Sequence, residues 1–194
     1  VSVLTADLRT LVDLLGAGGV IACPTETFVG LLADAFDAAA VARVCELKGR
    51  DPSQPIGVLL PDLEALSSVV THVPPLARRL ALRHWPGPLT LVLPVRAGLP
   101  AALAKDGKIG VRVPGESPAL DLVRAFGGAL TATSANKTGA PAARTEQEAR
   151  AAFPEGLAAF VPGDAPGGLA STVVDVSGPE PIVLRAGAIP RGAL

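Results

Sequence analysis

Short apolar runs that stop abruptly at polar, Gly- or Pro-marked turns constrain this chain more than any other feature of it. Residues 20–23, 56–60, 89–95, 109–113, 129–132, 172–176 and 182–184 are apolar runs of strand length. Amphipathic stretches separate them. Leu8, Leu11, Val12 and Leu15 recur at helical spacing, with Ser2 or Thr5 available as a cap and Gly16, Gly18 and Gly19 as a stop. Helices are expected over 38–47, 63–70, 76–84, 118–126 and 145–153. Ser117 before Pro118 and Thr145 three residues before Glu148 supply N-terminal signals for the last two. Strands alternating with helices give an α/β class. The two closing runs, 172–176 and 182–184, read as a hairpin, so the sheet is expected to be mixed.

Composition narrows the function. Gly and Pro together are 40 of the 194 residues, which calls for many tight turns on a folded body, and 49% hydrophobic residues suffice for a sizeable core. The net charge of −1 gives no global attraction to polyanions, so any phosphate or nucleic-acid site has to be a local cluster. Cys23 and Cys45 lack companions at metal-ligand spacing, and only His72 and His84 could supply imidazole, so no metal ligands are assigned. Asp7 and Arg9 interrupt the first apolar stretch, and no run reaches the ~18 residues that cross a bilayer. The expectation is a single domain over 1–194 in the cytoplasm, with no membrane partner.

Five segments carry an apolar run into a polar turn: Cys23-Pro24-Thr25-Glu26-Thr27, Lys48-Gly49-Arg50, Lys108-Ile109-Gly110-Val111-Arg112, Thr131-Ala132-Thr133-Ser134-Ala135-Asn136 and Leu184-Arg185-Ala186-Gly187. In open α/β sheets ligands bind in the crevice beyond the strand ends, which is where these residues are expected to meet. Lys48, Arg50, Arg112 and Arg185 form a cationic set, joined by Thr27, Ser134, Asn136 and Ser171. Each cation alone reads as a solvated surface charge with a buried stem. Taken together they fit a polyphosphate or a carboxylate, which guanidinium forks pair with bidentately.

Other chemistries are excluded or demoted. No Walker-type phosphate loop occurs, and Gly16-Ala17-Gly18-Gly19 precedes a strand, where a dinucleotide fingerprint would follow one. Trp85-Pro86-Gly87-Pro88-Leu89-Thr90 reads as a structural turn. Cys23 has no neighbouring Lys or His to activate it, and Ser134 has no evident base partner.

At these same residues the sequence resembles the YrdC-like family of threonylcarbamoyl-AMP synthases. The matching landmarks are Pro24-Thr25-Glu26-Thr27 with Gly30-Leu31, Lys48-x-Arg50, Trp85-Pro86-Gly87-Pro88-Leu89-Thr90 and Val111-Arg112-Val113-Pro114. Ser134-Ala135-Asn136, Ser171-Thr172-Val173-Val174-Asp175 and Leu184-Arg185-x-Gly187 complete them, in family order, across residues 24–187. The resemblance implies a twisted mixed sheet with flanking helices and a concave basic face, in the family's short, single-domain form. It also implies a reaction joining L-threonine, bicarbonate and ATP into threonylcarbamoyl-adenylate and pyrophosphate, with a transferase complex then modifying a tRNA adenosine.

Carried over residue by residue, the resemblance implies catalytic roles for Lys48, Arg50, Ser134 and Asn136. ATP contacts would come from Arg50, Gln54, Lys108, Asn136, Arg144 and Arg185. Threonine contacts would come from Thr27, Leu59, Arg112, Ser134 and Ser171. Val29 stands where the family commonly has Tyr, Leu59 where it often has His, and Arg144 and Lys108 where Thr is common, departures that bear on pocket detail and amino-acid preference.

The implied chemistry suits the inventory. A nucleophile that is the substrate's own N-carboxylate needs no protein base at the phosphate-attack step, so the shortage of His is expected. Alignment and cationic stabilisation of pyrophosphate are what the protein has to supply. Mg²⁺ is expected to arrive with ATP, because no acidic cluster looks like a metal cage. Thr27, Ser134 and Ser171 all remain candidates to read the threonine hydroxyl. Two other readings stay open: a carbamoyl-adenylate-forming enzyme of the same fold, and a double-stranded RNA-binding module without catalysis. Contact of the basic face with tRNA or double-stranded RNA belongs to the partner reading as an open alternative, and the net charge of −1 argues against RNA binding as the main role.

Overall fold

The computed structural model describes residues 7–51 and 53–194. Among the described residues the chain runs α1 (Leu8–Gly16), β1 (Ile21–Pro24), β2 (Val29–Leu32), α2 (Ala38–Lys48), β3 (Gly57–Leu59), α3 (Leu66–Val69), α4 (Pro75–His84) and β4 (Leu89–Pro94). It continues through β5 (Ala104–Lys105), β6 (Lys108–Arg112), α5 (Pro118–Phe126), β7 (Leu130–Ser134), α6 (Glu146–Ala152), β8 (Ala159–Phe160), β9 (Thr172–Asp175) and β10 (Ile182–Arg185). The strands join into one sheet in the order β10-β9-β4-β6-β3-β7-β2-β1-β8, and β5 pairs with β6 beside β3. β3–β6, β4–β9 and β1–β8 are parallel and the remaining pairs antiparallel, so the sheet is mixed as expected. The expected closing hairpin is present as the antiparallel β9–β10 pair, with a register shift between Val183 and Arg185.

Helix boundaries follow local chemistry. Ser2 and Thr5 lie outside the described residues; Asp7 caps α1, its carboxylate accepting from the Thr10 amide at 2.8 Å. Ser117 caps α5 with Pro118 at its first turn, and Thr145 and Glu148 form the expected capping box on α6. The helix expected over 63–70 shortens to Leu66–Val69, because Asp62 accepts from the Ala65 amide and fixes a turn in place of the first helical turn. β2 was not expected at all. Thr25 makes it: its hydroxyl oxygen accepts from the amides of Thr27 and Phe28 at 3.1 and 3.2 Å and donates to the Phe28 carbonyl at 2.7 Å. That turn reverses the chain, so β2 returns along β1.

Alternation along the central strands separates two faces. In β4, Leu89, Leu91 and Leu93 are fully buried, whereas Thr90, Val92 and Pro94 are partly exposed. In β6, Ile109 and Val111 are buried beside the partly exposed Lys108 and Gly110. The Leu and Ile side chains face the core, with α4 packed on β4, and α5 and α6 on β1. Burial of such a side chain contributes about 1.5–3 kcal/mol, which pins the register and leaves the alternate residues on the opposite face.

Candidate functional site

Those alternate residues line a cavity of about 620 Å³. Gly57 and Leu59 of β3, Thr90 and Val92 of β4, Lys108, Gly110 and Arg112 of β6, and Ala132 and Ser134 of β7 all contribute to it. The site therefore lies across the open face of the sheet, and the expectation of a crevice beyond the strand ends is corrected. Its central floor is low because Gly57, Gly110 and Ala132 have little or no side chain; a Cβ on Gly57 would stand 3.0 Å from the Gly110 carbonyl oxygen.

Charge collects in this cavity. Arg50, Lys105, Lys108, Arg112 and Arg185 line it against two acids, Asp106 and Asp175. On a chain of net charge −1, that local excess of cations is the cluster an anionic ligand requires. Lys108 is tied to Asp175 at 2.8 Å, and Asp175 also accepts from the Ser177 hydroxyl at 2.6 Å. Arg185 donates through Nε to the Ser171 carbonyl at 3.0 Å and through Nη2 to its hydroxyl at 2.9 Å, and Thr90 meets that hydroxyl at 2.9 Å. Arg50 is fastened to the carbonyls of Gln54 and Pro55, at 3.1 and 2.9 Å. Thr27 and Ser171 are buried in the wall.

Lys48 does not line the cavity. Lys48-Gly49-Arg50 is the end of α2, not of a strand, and Gly49 there takes the left-handed conformation (φ 58°) that stops a helix. The Lys48 side chain is buried beneath the β7 end, where Nζ donates to the carbonyls of Ser134 and Asn136, the latter at 2.8 Å. Burial, reinforced by Arg50, draws its pKa down to about 8. The Asn136 Oδ1 accepts from the Ser134 hydroxyl, and its Nδ2 donates to the carbonyls of Lys137 and Ala140. Lys48 and Asn136 thus fix the turn that carries Ser134 to the cavity.

Gln54 and Arg144 are exposed and also off the wall. Arg144 lies over Gly167, where a side chain would collide with its Nε, and donates to the Pro166 carbonyl at 3.1 Å. Of the residues expected at a site, Thr27, Arg50, Leu59, Lys108, Arg112, Ser134, Ser171 and Arg185 share the cavity, while Lys48, Gln54, Asn136 and Arg144 stand around it. Sequence reasoning missed Lys105 and Asp106. Asp106-Gly107 was the available signal: both take positive φ (51° and 72°), the two-residue turn that folds β5 onto β6 and brings Lys105 and Lys108 to the rim. Cys23 is buried and its thiol pKa is pushed up by desolvation, consistent with an inert side chain.

The family model described as telomere recombination, Sua5/YciO/YrdC, matches residues 13–187. The chain belongs to the Sua5/YciO/YrdC family. Among relatives it is 34% identical over 185 residues to the threonylcarbamoyl-AMP synthase of Pyrococcus abyssi, covering 94% of this chain and 54% of that protein. The threonylcarbamoyl-AMP synthase of Bacillus subtilis is 35% identical over 92% of this chain and 52% of its own length. The chain thus spans about half the length of those two curated relatives. The structure of Pyrococcus abyssi Sua5 complexed with L-threonine superposes with a TM-score of 0.88 at 33% identity, over 95% of this chain and 56% of that one. Escherichia coli YciO superposes with a TM-score of 0.86 at 25% identity, over 98% of this chain and 94% of that one. The twisted mixed sheet with flanking helices is therefore the Sua5/YciO/YrdC fold.

Proposed function

We propose that this chain is a threonylcarbamoyl-AMP synthase, joining L-threonine, bicarbonate and ATP into threonylcarbamoyl-adenylate with release of pyrophosphate. The observation that carries this is the cation-rich cavity on a glycine floor, lined with hydroxyls, in a chain whose relatives bear that name. Its volume lies within the roughly 300–1,000 Å³ of small-molecule sites. The product would serve threonylcarbamoyl modification of a tRNA adenosine by a separate transferase.

Arg50, Lys108 and Arg185 are assigned to phosphate oxygens and Arg112 to the threonine carboxylate, a reading supported by their shared place on the cavity wall. Gln54 adjoins the wall-lining Pro55, and Arg144 lies two residues from the wall-lining Ala142, so both can extend the nucleotide site from outside. Thr27, Ser134 and Ser171 offer hydroxyls to threonine, and Leu59 packs beside them. The attacking oxygen belongs to N-carboxylated threonine, so the protein's work is alignment with the α-phosphorus and stabilisation of charge on the leaving pyrophosphate. Among the described residues no group of three or more His, Cys, Asp or Glu is placed to hold a metal ion. The Asp175 carboxylate is already engaged by Lys108 and Ser177. Mg²⁺ is accordingly assigned to the ATP substrate. Among the described residues no helix is long and apolar enough to cross a membrane.

Pyrophosphate release tests the proposal. Release should require both L-threonine and bicarbonate; release that persists when threonine is omitted contradicts it, and release driven by carbamoyl phosphate favours the carbamoyl-adenylate chemistry instead.

A further inference from the structure

Among the described residues, the buried side-chain polar atoms that lack a hydrogen-bond partner are Glu26 Oε1 and Arg112 Nε, the two halves of one ion pair. The pair touches only once, Arg112 Nη2 donating to Glu26 Oε2 at 3.3 Å, where a guanidinium and a carboxylate ordinarily engage through two prongs. Both side chains are largely withdrawn from water, 9% exposed for Arg112 and 15% for Glu26. A half-satisfied buried pair is a poor stabilising element, so stability does not explain its presence. The placement is asymmetric as well. Arg112 lines the cavity, whereas Glu26 stands behind it, wedged where Gly115 lacks a side chain; a Cβ there would come within 2.8 Å of the Glu26 Cγ. Among the described residues, Glu26 is the carboxylate hydrogen-bonded to the Arg112 guanidinium.

We propose that Glu26 is a positioning residue: from behind the wall it holds the Arg112 guanidinium aimed into the cavity and thereby sets the affinity for the carboxylate of the amino-acid substrate. This rests on the threonine reading of the site. The Thr25 turn supports it, because the same turn that returns the chain into β2 places Thr27 on the wall and Glu26 behind it.

The test is direct binding of L-threonine and of L-threoninol, which lacks the carboxylate, by calorimetry on the full chain without turnover. Wild-type protein should bind threonine more tightly than threoninol. Glu26→Gln should weaken threonine about tenfold, in keeping with loss of a charge-assisted hydrogen bond, while threoninol affinity stays within about twofold. Gly115→Ala, which displaces Glu26 and keeps its charge, should weaken threonine in the same selective way and gives the answer should Glu26→Gln not fold. Unchanged discrimination in the folded variants makes Glu26 a packing residue and overturns the inference. Wild-type protein that binds no threonine overturns the functional reading beneath it.

Discussion

Lys48 is the residue at which burial and the proposed anion binding pull in opposite directions. Folding places its ammonium under the β7 end and lowers its pKa to about 8, chiefly by desolvation. An unfolded lysine keeps its proton to a higher pH, so between about 8 and the ordinary lysine value the unfolded chain binds more protons, and this group makes folding more favourable as pH rises. Anion binding has the opposite sign, because the positive charge behind Ser134 disappears over the same interval. Nucleotide affinity should therefore fall as pH rises through about 8 while the Lys48 contribution to thermal stability improves. Measuring both between pH 7 and 9.5 checks this, and Lys48→Met should bind weakly with no step near pH 8. Arg50, Arg112 and Arg185 were legible in the sequence as a set because cations stand out on a nearly neutral, apolar chain. Glu26 was visible only as part of a motif, since being the counter-charge behind an arginine depends on contact between β6 and a turn 86 positions away in the chain.

Elements were legible where local chemistry decides them. Caps at Ser117 and Thr145, and the run into Leu89–Pro94, follow from side chains within a few residues. β2 was hidden because Val29-Gly30-Leu31-Leu32 is short and contains glycine; it exists through pairing with β1 and β7. The location of the ligand cavity was misplaced for a related reason. Strand-end turns are conspicuous in sequence, but here the partly exposed residues along β4 and β6 make the site. Gly57 tests that face directly. Gly57→Ala puts a methyl 3.0 Å from the Gly110 carbonyl, where backbone has to yield, and should cost about 1–3 kcal/mol of stability together with weaker nucleotide binding. Denaturant unfolding and nucleotide titration measure the two effects. A variant that unfolds and binds like the wild type would show that the two strands have room to spare.

At the scale of the molecule, one sheet divides the labour between its faces. The helix-covered face buries the Leu, Ile and Val side chains that make the fold rigid, and the opposite face holds cations, hydroxyls and glycines at fixed spacing. Under the proposed function such a surface would orient reactants while the attacking oxygen comes from the substrate, in keeping with an inventory of two histidines and a buried Cys23. The decisive measurement is mass spectrometry of the products formed from ATP, L-threonine, ¹³C-bicarbonate and Mg²⁺. An adenylate that contains threonine and one labelled carbon, accompanied by pyrophosphate, is the predicted result. An adenylate without threonine, or nucleotide hydrolysis with no labelled adenylate, would contradict the account.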